Sequence, residues 1–308
     1  MTGTITIAPS REKPILNHHP WIFSGAIQQA QDAVPGAIVD VVTHKGAFLA
    51  RGYWNPKSQI QVRILTWEDE PINDVWWQRQ LQRAVEIRAA YHHSTEPRGY
   101  RLVNAENDYI PGLVIDRYGD YLVLQALTLY IDQQKQQIAE QLATICRQLN
   151  MPIKGIYERS DVDVRKKEGL GLTTGLLWGE EPPELIEIVS GGKVRLIDIR
   201  HGHKTGYYLD QLHNQNMLPS FLASHGLHDG HTRILNLFSY TGGFGLATQG
   251  HVTNVDASRP ALELAEAIYE RNQWEEERVD FIQADVFDFL RDQAENGELY
   301  DVVILDPP

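Results

Sequence analysis

Three glycines, Gly242, Gly243 and Gly245, follow an apolar run that ends near Phe238. Glycine lets backbone approach a ligand closely and leaves helix N-terminal N–H groups open to it. Asp256 closes the next apolar run, where a carboxylate can accept both hydroxyls of a ribose. These two features suit any adenosine-containing cofactor. Asp285 closes a third run and offers an acceptor to an adenine amino group. Asp306-Pro307-Pro308 closes a fourth. Its prolines fix the backbone and remove N–H donors, so a side chain or carbonyl there can accept from the exocyclic amino group of a base. Flipped bases are read by contacts of this kind. The dinucleotide fingerprint Gly-x-Gly-x-x-Gly is not met, because the glycines read Gly242-Gly243-Phe244-Gly245. The set favours S-adenosylmethionine and a polar planar substrate. A strand-end aspartate often caps a helix instead, and for Asp285 that reading stays open. The recurrence at successive strand ends is what points to a ligand.

Such side chains need a parallel sheet to bring them together. Residues 232–308 supply the pattern. Strands are expected at Arg233–Phe238, Val252–Asp256, Val279–Asp285 and Val302–Asp306. Between them lie a Gly-rich loop entering a helix at Thr241–Gln249, a helix at Pro260–Asn272 capped by Ser258, and a helix at Phe287–Ala294. Strand–helix alternation means a doubly wound parallel sheet, whose ligands bind at the carboxyl ends of the strands. Two expectations follow from its economy. The sheet stops at Pro308, which implies a domain truncated at its C-terminus. Phe244–Gly250 makes barely two helical turns, short for a crossover, so residues are expected to be absent there.

Upstream, residues 72–187 read as a central α+β domain. Asn73 can cap a helix with Val75, Leu81, Val85 and Ala89 inward. Strands at Leu113–Asp116 and Tyr121–Leu127 flank a turn at Arg117–Asp120. A second helix carries Ile131, Ile138, Leu142, Ile145 and Leu149 at helical spacing. Further strands fall at Ile153–Glu158, Ile186–Val189 and, after Gly191-Gly192, Val194–Ile199. Residues 1–71 read as a small β-barrel or sandwich. Its strands at Ile38–Val42, Ala47–Trp54 and Ile60–Leu65 are separated by turn signals, and no helix is expected before Asn73. The fold class is therefore multidomain: N-terminal β-barrel, central α+β, and an α/β doubly wound Rossmann-like domain over residues 188–308.

At this point the chain resembles a known family. Asn236-Leu-Phe-Ser-Tyr-Thr-Gly-Gly-Phe244 is similar to the cofactor loop of the RlmI-like class I methyltransferases, which act on 23S ribosomal RNA. His19-Pro-Trp-Ile-Phe-Ser-Gly25 and Ala50-Arg-Gly-Tyr-Trp-Asn-Pro56 resemble that family's N-terminal PUA domain. Leu102–Asp108, Pro111–Asp120 and Tyr157–Asp161 resemble its central domain, and Gly202–Gln211 the segment leading into its catalytic domain. The resemblance implies methyl transfer from S-adenosylmethionine to carbon 5 of a cytosine. It implies that Asn236, Phe238, Ser239, Tyr240, Gly242 and Gly243 cradle the methionine part. Asp256 would hold the ribose and Asp285 the adenine edge, with Lys204 and Asp210 near the methionine end. Asp306 and Pro307 would face the target base. The family's nucleophilic cysteine, which attacks carbon 6 of the base, lies beyond the Asp-Pro-Pro motif and so beyond residue 308. Relatives with a similar loop methylate guanine N7 and need no cysteine.

Composition sets the outer limits. The chain has 308 residues, 42% hydrophobic and 22% charged, with one cysteine. That excludes disordered, collagen-like and disulfide-stapled chains and any intramolecular disulfide, and it favours a reducing compartment, most simply the cytoplasm. No signal peptide and no membrane span are expected. Net charge is −13, with −9 of it in residues 188–308, which excludes a strongly basic nucleic-acid coat but leaves room for an RNA-facing surface in the first two-thirds. Ribosomal RNA and S-adenosylmethionine are the expected partners, a homodimer is left open, and no membrane is involved. Cys146 reads as a core residue. His225, His228 and His231 read as a solvated loop rather than a metal site. Arg159 with Arg165-Lys166-Lys167 forms a basic cluster that either touches phosphate or is a solvated face. Trp21, Phe23, Tyr53 and Trp54 read mostly as core, and Gly169–Gly175 as turns. Two rivals to a methyltransferase stand: an inactive RNA-binding or ribosome-assembly factor, and an NAD-dependent oxidoreductase disfavoured by its glycine spacing.

Overall fold

The computed structural model describes residues 2–92 and 98–307. These form two compact units, one built from residues up to Pro183 apart from Arg98 and Gly99, the other from those two and from Glu184 onward. In the first unit, β1 (Gly3–Ile7), β2 (Trp21–Phe23), β3 (Ile27–Gln31), β4 (Ile38–Val42), β5 (Phe48–Trp54) and β6 (Ile60–Thr66) make one sheet in the order β2-β6-β5-β4-β1-β3. Alternate residues turn inward: Ile5, Ile7, Val39, Val41, Ala50, Val62 and Ile64 form its core. A four-residue helix, α1 (Lys13–Leu16), precedes Asn73, where none was expected. It buries only Ile15 and is too short to show a helical period.

The second sheet of this unit runs β11-β10-β9-β8-β7, with β7 (Gly99–Asn104), β8 (Leu113–Tyr118), β9 (Tyr121–Ala126), β10 (Gly155–Ser160) and β11 (Thr173–Gly179). The β8–β9 hairpin pairs Tyr118 with Tyr121, so its turn is tighter than the expected Arg117–Asp120. The Gly169–Gly175 stretch is not all turn, because Thr173–Gly175 already belong to β11. Asn73 does cap α2 (Asp74–Ile87), accepting from Trp76 N–H at 3.1 Å. The buried face is Trp76, Trp77, Leu81, Ala84 and Val85. Val75 is 69% exposed, contrary to expectation. It sits six residues before Leu81, about a third of a turn out of phase. Ala89 falls in a separate short helix, α3 (Ala89–His92). The long helix α4 (Leu129–Gln148) packs with α2 over the sheet, and Tyr53 and Leu65 of the first sheet join the same core. There Tyr53 Oη donates to Pro111 O at 2.9 Å and its ring stacks on Tyr130.

The basic cluster is only half exposed: Lys166, paired with Asp163, and Lys167 face solvent, while the two arginines do not. Arg165 is buried, bound to Asp132 at 3.0 Å and to the carbonyls of Gly171 and Ala126. Arg159 is buried and pairs with Asp161 at 2.9 Å. A guanidinium taken out of water must be paired, and here loop carbonyls and carboxylates supply the partners. Of the four aromatics, Tyr53 is core, Trp21 and Trp54 are half-buried, and Phe23 is exposed.

The second unit opens with a hairpin, β12 (Ile186–Ser190) and β13 (Lys193–Ile197), turned at Gly191-Gly192. A helix not read from the sequence, α5 (Leu212–Ser224), follows. Then come β14 (Arg233–Leu237), α6 (Gly243–Leu246), β15 (His251–Asp256), α7 (Arg259–Arg271), β16 (Val279–Gln283), α8 (Val286–Glu295) and β17 (Val302–Leu305). The four strands are all parallel, in the order β16-β15-β14-β17. On one face Leu235, Leu237 and Val255 meet Val286 and Phe289 of α8. Leu246 of α6 forms a second cluster with Ile268 and Tyr269 of α7, joined by Phe281. A single turn, α6, suffices to bring His251 beside Arg233 in register.

Candidate cofactor-binding site

The carboxyl end of β14 leads into a loop bent the unusual way. Phe238, Tyr240 and Gly242 have φ of +52°, +50° and +71°. Left-handed backbone at two non-glycine residues is strained and collects at ligand sites. A buried chain of polar groups holds the loop from beneath. Asn236 Nδ2 donates to Asn254 Oδ1 at 2.9 Å, Asn254 Nδ2 to Tyr269 Oη at 3.4 Å, and Tyr269 Oη to Gly242 O at 3.1 Å. Asn236 is thus a support under the loop. Glycine is required twice. A Cβ on Gly242 would stand 2.8 Å from the Tyr269 ring, and one on Gly243 would stand 2.4 Å from Tyr207 Oη.

Asp256 clamps the loop from the neighbouring strand end. Its Oδ2 accepts from Tyr240 N–H and its Oδ1 from Ser258 N–H, both at 2.8 Å. Each oxygen keeps a lone pair, and the group is half-buried. The hydroxyls of Ser239 and Thr241 are buried with no hydrogen-bond partner among the described residues. Two such orphans in one loop give donors and acceptors that a polar ligand can satisfy.

The segment 202–211 closes over the same loop. His203 N–H donates to Tyr240 Oη at 3.1 Å, and the two rings stack at 4.7 Å. His203 Nδ1 lies 3.0 Å from Tyr208 Oη. Lys204, itself left-handed, pairs with Asp210 at 3.0 Å and lies over the Tyr208 ring. Gln211 Nε2 reaches Asp306 Oδ1 at 3.5 Å. Burial, then the carboxylates of Asp210, Asp306 and Asp256, hold the Tyr208 phenol above its ordinary pKa. Burial likewise pushes Tyr240 up to about 12.

So the structure brings together Asn236, Phe238, Ser239, Tyr240, Gly242, Gly243, Asp256, Lys204, Asp210 and Asp306. Pro307 is exposed beside Asp306, and Pro308 lies outside the described residues. Asp285 is the N-cap of α8, its Oδ1 accepting from Phe287 and Asp288 N–H at 2.9 and 3.1 Å. Its Oδ2 has no protein partner among the described residues. The tyrosines at 207 and 208, His203, Gln211 and Tyr269 were not singled out from the sequence. A pair of tyrosines beside Lys204 was the available signal. Among the described residues no group of three or more His, Cys, Asp or Glu could hold a metal. Asp229, beside the loop histidines, instead accepts from His231 N–H and from Thr232. Cys146 lies buried on α4, and burial raises its thiol to about 12.

A family model described as S-adenosylmethionine-dependent methyltransferase matches residues 127–308. The chain belongs to this methyltransferase family. Its cofactor is therefore S-adenosylmethionine, and the glycine loop, the strand-end Asp256 and the orphaned hydroxyls fit that molecule. A PUA-like domain model also matches this methyltransferase, at residues 5–67. Ribosomal RNA large subunit methyltransferase I of Shigella boydii serotype 4 is 40% identical over 314 residues, covering 100% of this chain and 76% of the relative. The protein of the same name from Photobacterium profundum is 42% identical over 315 residues with the same coverage. Two solved structures share the fold of the methyltransferase, both at TM-score 0.81 over 100% of the chain. One is a Streptococcus mutans protein described as a candidate SAM-dependent methyltransferase, 24% identical and covered over 77% of its length. The other, a candidate methyltransferase complexed with SAH, is 23% identical and covered over 76%. Among the described residues no helix is long and apolar enough to cross a membrane.

Proposed function

We propose that this chain is the methyltransferase of large-subunit ribosomal RNA, acting at carbon 5 of a cytosine in 23S rRNA. The observation that carries the reading is the left-handed loop at Phe238, Tyr240 and Gly242, clamped by Asp256 at Tyr240 N–H and covered by the segment whose Gln211 reaches Asp306. The relatives that match the whole chain, and their printed name, supply the substrate class. When bound, S-adenosylmethionine supplies an electrophilic methyl group on a sulfonium centre. Asp256 accepts from the ribose with the lone pairs its two loop contacts leave free. Ser239 and Thr241 satisfy their hydroxyls on the methionine part, beside Lys204 and Asp210. The free Oδ2 of Asp285 accepts from the adenine amino group. Asp306, oriented by Gln211, accepts from the exocyclic amino group of the base, with Pro307 holding the backbone straight. Excluding water from this cleft strengthens each of those contacts.

Cytosine carbon 5 is a poor nucleophile until a thiolate adds at carbon 6. Cys146 is no candidate for that thiolate, because its buried thiol stays protonated. The test is methyl transfer to 23S rRNA by the protein, followed by mass spectrometry of the nucleosides. We expect 5-methylcytidine. Finding 7-methylguanosine instead transfers the reading to guanine N7, and an unmodified RNA leaves a binding role.

A further inference from the structure

We propose that the outer edge of β16, with the acidic groove beside α7, docks an extended Lys/Arg-rich segment of a partner protein as an added strand. β16 is the last strand of its sheet, so one row of its backbone groups has no ladder partner among the described residues. Sheet edges are usually blunted by lysine or proline, and the sequence of β16, VDFIQ, contains neither. A groove of about 720 Å³ runs alongside it. Glu263, Glu266, Glu270 and Glu276 line the groove together with Trp274 and Phe281. Arg259 pairs with Glu263 and Glu266, whereas Glu270 and Glu276 have no ion-pair partner among the described residues. The wall is therefore negative.

This chemistry selects its occupant. Aromatic rings among carboxylates suit the long aliphatic stems and cationic heads of lysine and arginine, as the chain's own Lys193 over the Trp274 ring shows. An open strand edge gives main-chain affinity to an extended peptide, while the flanking groove reads alternate side chains. A nucleic acid is repelled by the glutamates. A second copy of this chain, at −13 overall, is repelled as well. The inference stands independently of which base is methylated.

The probe is a fluorescent peptide of alternating lysine and valine, titrated into the 308-residue protein and followed by anisotropy. We expect binding that weakens with salt and falls at least tenfold in the Glu270→Lys/Glu276→Lys double variant. We expect the same tenfold loss for a peptide N-methylated at alternate residues, which keeps its charge but cannot donate to a strand edge. The double variant should gain affinity for the matching glutamate–valine peptide, and its unfolding temperature, measured alongside, should match the parent's. Equal affinity for the N-methylated peptide overturns strand addition. Equal affinity of the parent and the double variant overturns the groove. A parent dimer that the lysine substitutions dissociate would assign the edge to self-association, and competition by an RNA oligonucleotide would assign it to nucleic acid. Either result overturns the proposal.

Discussion

At the scale of single residues, the proposed site rests on side chains that hold the loop and would also serve the ligand. Asp256 is the clearest, because its two oxygens already bind Tyr240 and Ser258 N–H. Asp256→Ala should weaken S-adenosylmethionine binding at least tenfold, about 1.4 kcal/mol or more, by calorimetry. Wild-type affinity in that variant would remove the ribose assignment. Gly242→Ala forces a side chain into left-handed backbone against the Tyr269 ring. A loss of about 1–2 kcal/mol in urea unfolding is expected from the backbone conformation alone. Tyr240 makes a prediction in pH. Its phenol is raised from 10.0 to about 12, so the fold favours the neutral form. That contribution is complete below the unfolded value and is lost as pH rises through the folded one. Stability should therefore decline between about pH 10 and about pH 12, and Tyr240→Phe should make the decline shallower. Tyr269 and Tyr53 are also raised by burial, so some slope will remain.

At the scale of elements, Asp285 has both a structural and a binding reading. It caps α8, yet one of its oxygens is free. Asp285→Ser keeps a capping oxygen and removes the carboxylate. Unfolding should change by a few tenths of a kcal/mol, whereas Asp285→Ala should cost about 1 kcal/mol. If the serine variant binds S-adenosylmethionine as tightly as the parent, the adenine contact is wrong. The strands and helices after residue 232 were readable because each strand is a compact apolar run and each of the two long helices carries its own cap. α5 was not. Its Met217 and Phe221 are exposed, Pro219 interrupts it, and only Leu212, Gln215 and Leu222 are buried, so no apolar stripe marks it. Asp256, Asp285 and Asp306 were legible as strand ends, whereas Asp210 came only with the resemblance of segment 202–211. Tyr208 and His203 were not, because their role arises from a loop folding back on Tyr240, and spacing along the chain carries no trace of that.

At the scale of the whole molecule, the change in texture near Glu70 marks a change of sheet, since every strand before it joins the same six-stranded sheet. It does not mark a break in packing. Tyr53 and Leu65 share a core with α2 and α4, and buried Arg63 pairs with buried Glu168 at 2.9 Å, with Asn55 donating to the same carboxylate. Such long-range partners leave no periodic signal in sequence. Arg63→Ala leaves the buried Glu168 carboxylate with Asn55 but no counter-charge, and should cost about 3–5 kcal/mol. Scanning calorimetry should resolve two transitions, one per compact unit, with the substitution lowering only that of the unit ending at Pro183. A single transition shifted as a block would show the units melting together.

The left-handed turns at Phe238, Tyr240 and Gly242 are set by the protein's own asparagines, tyrosine and aspartate. An arriving nucleoside therefore finds its berth already shaped. Little chain freedom is surrendered on arrival, so capture is limited by how fast the guest finds the opening.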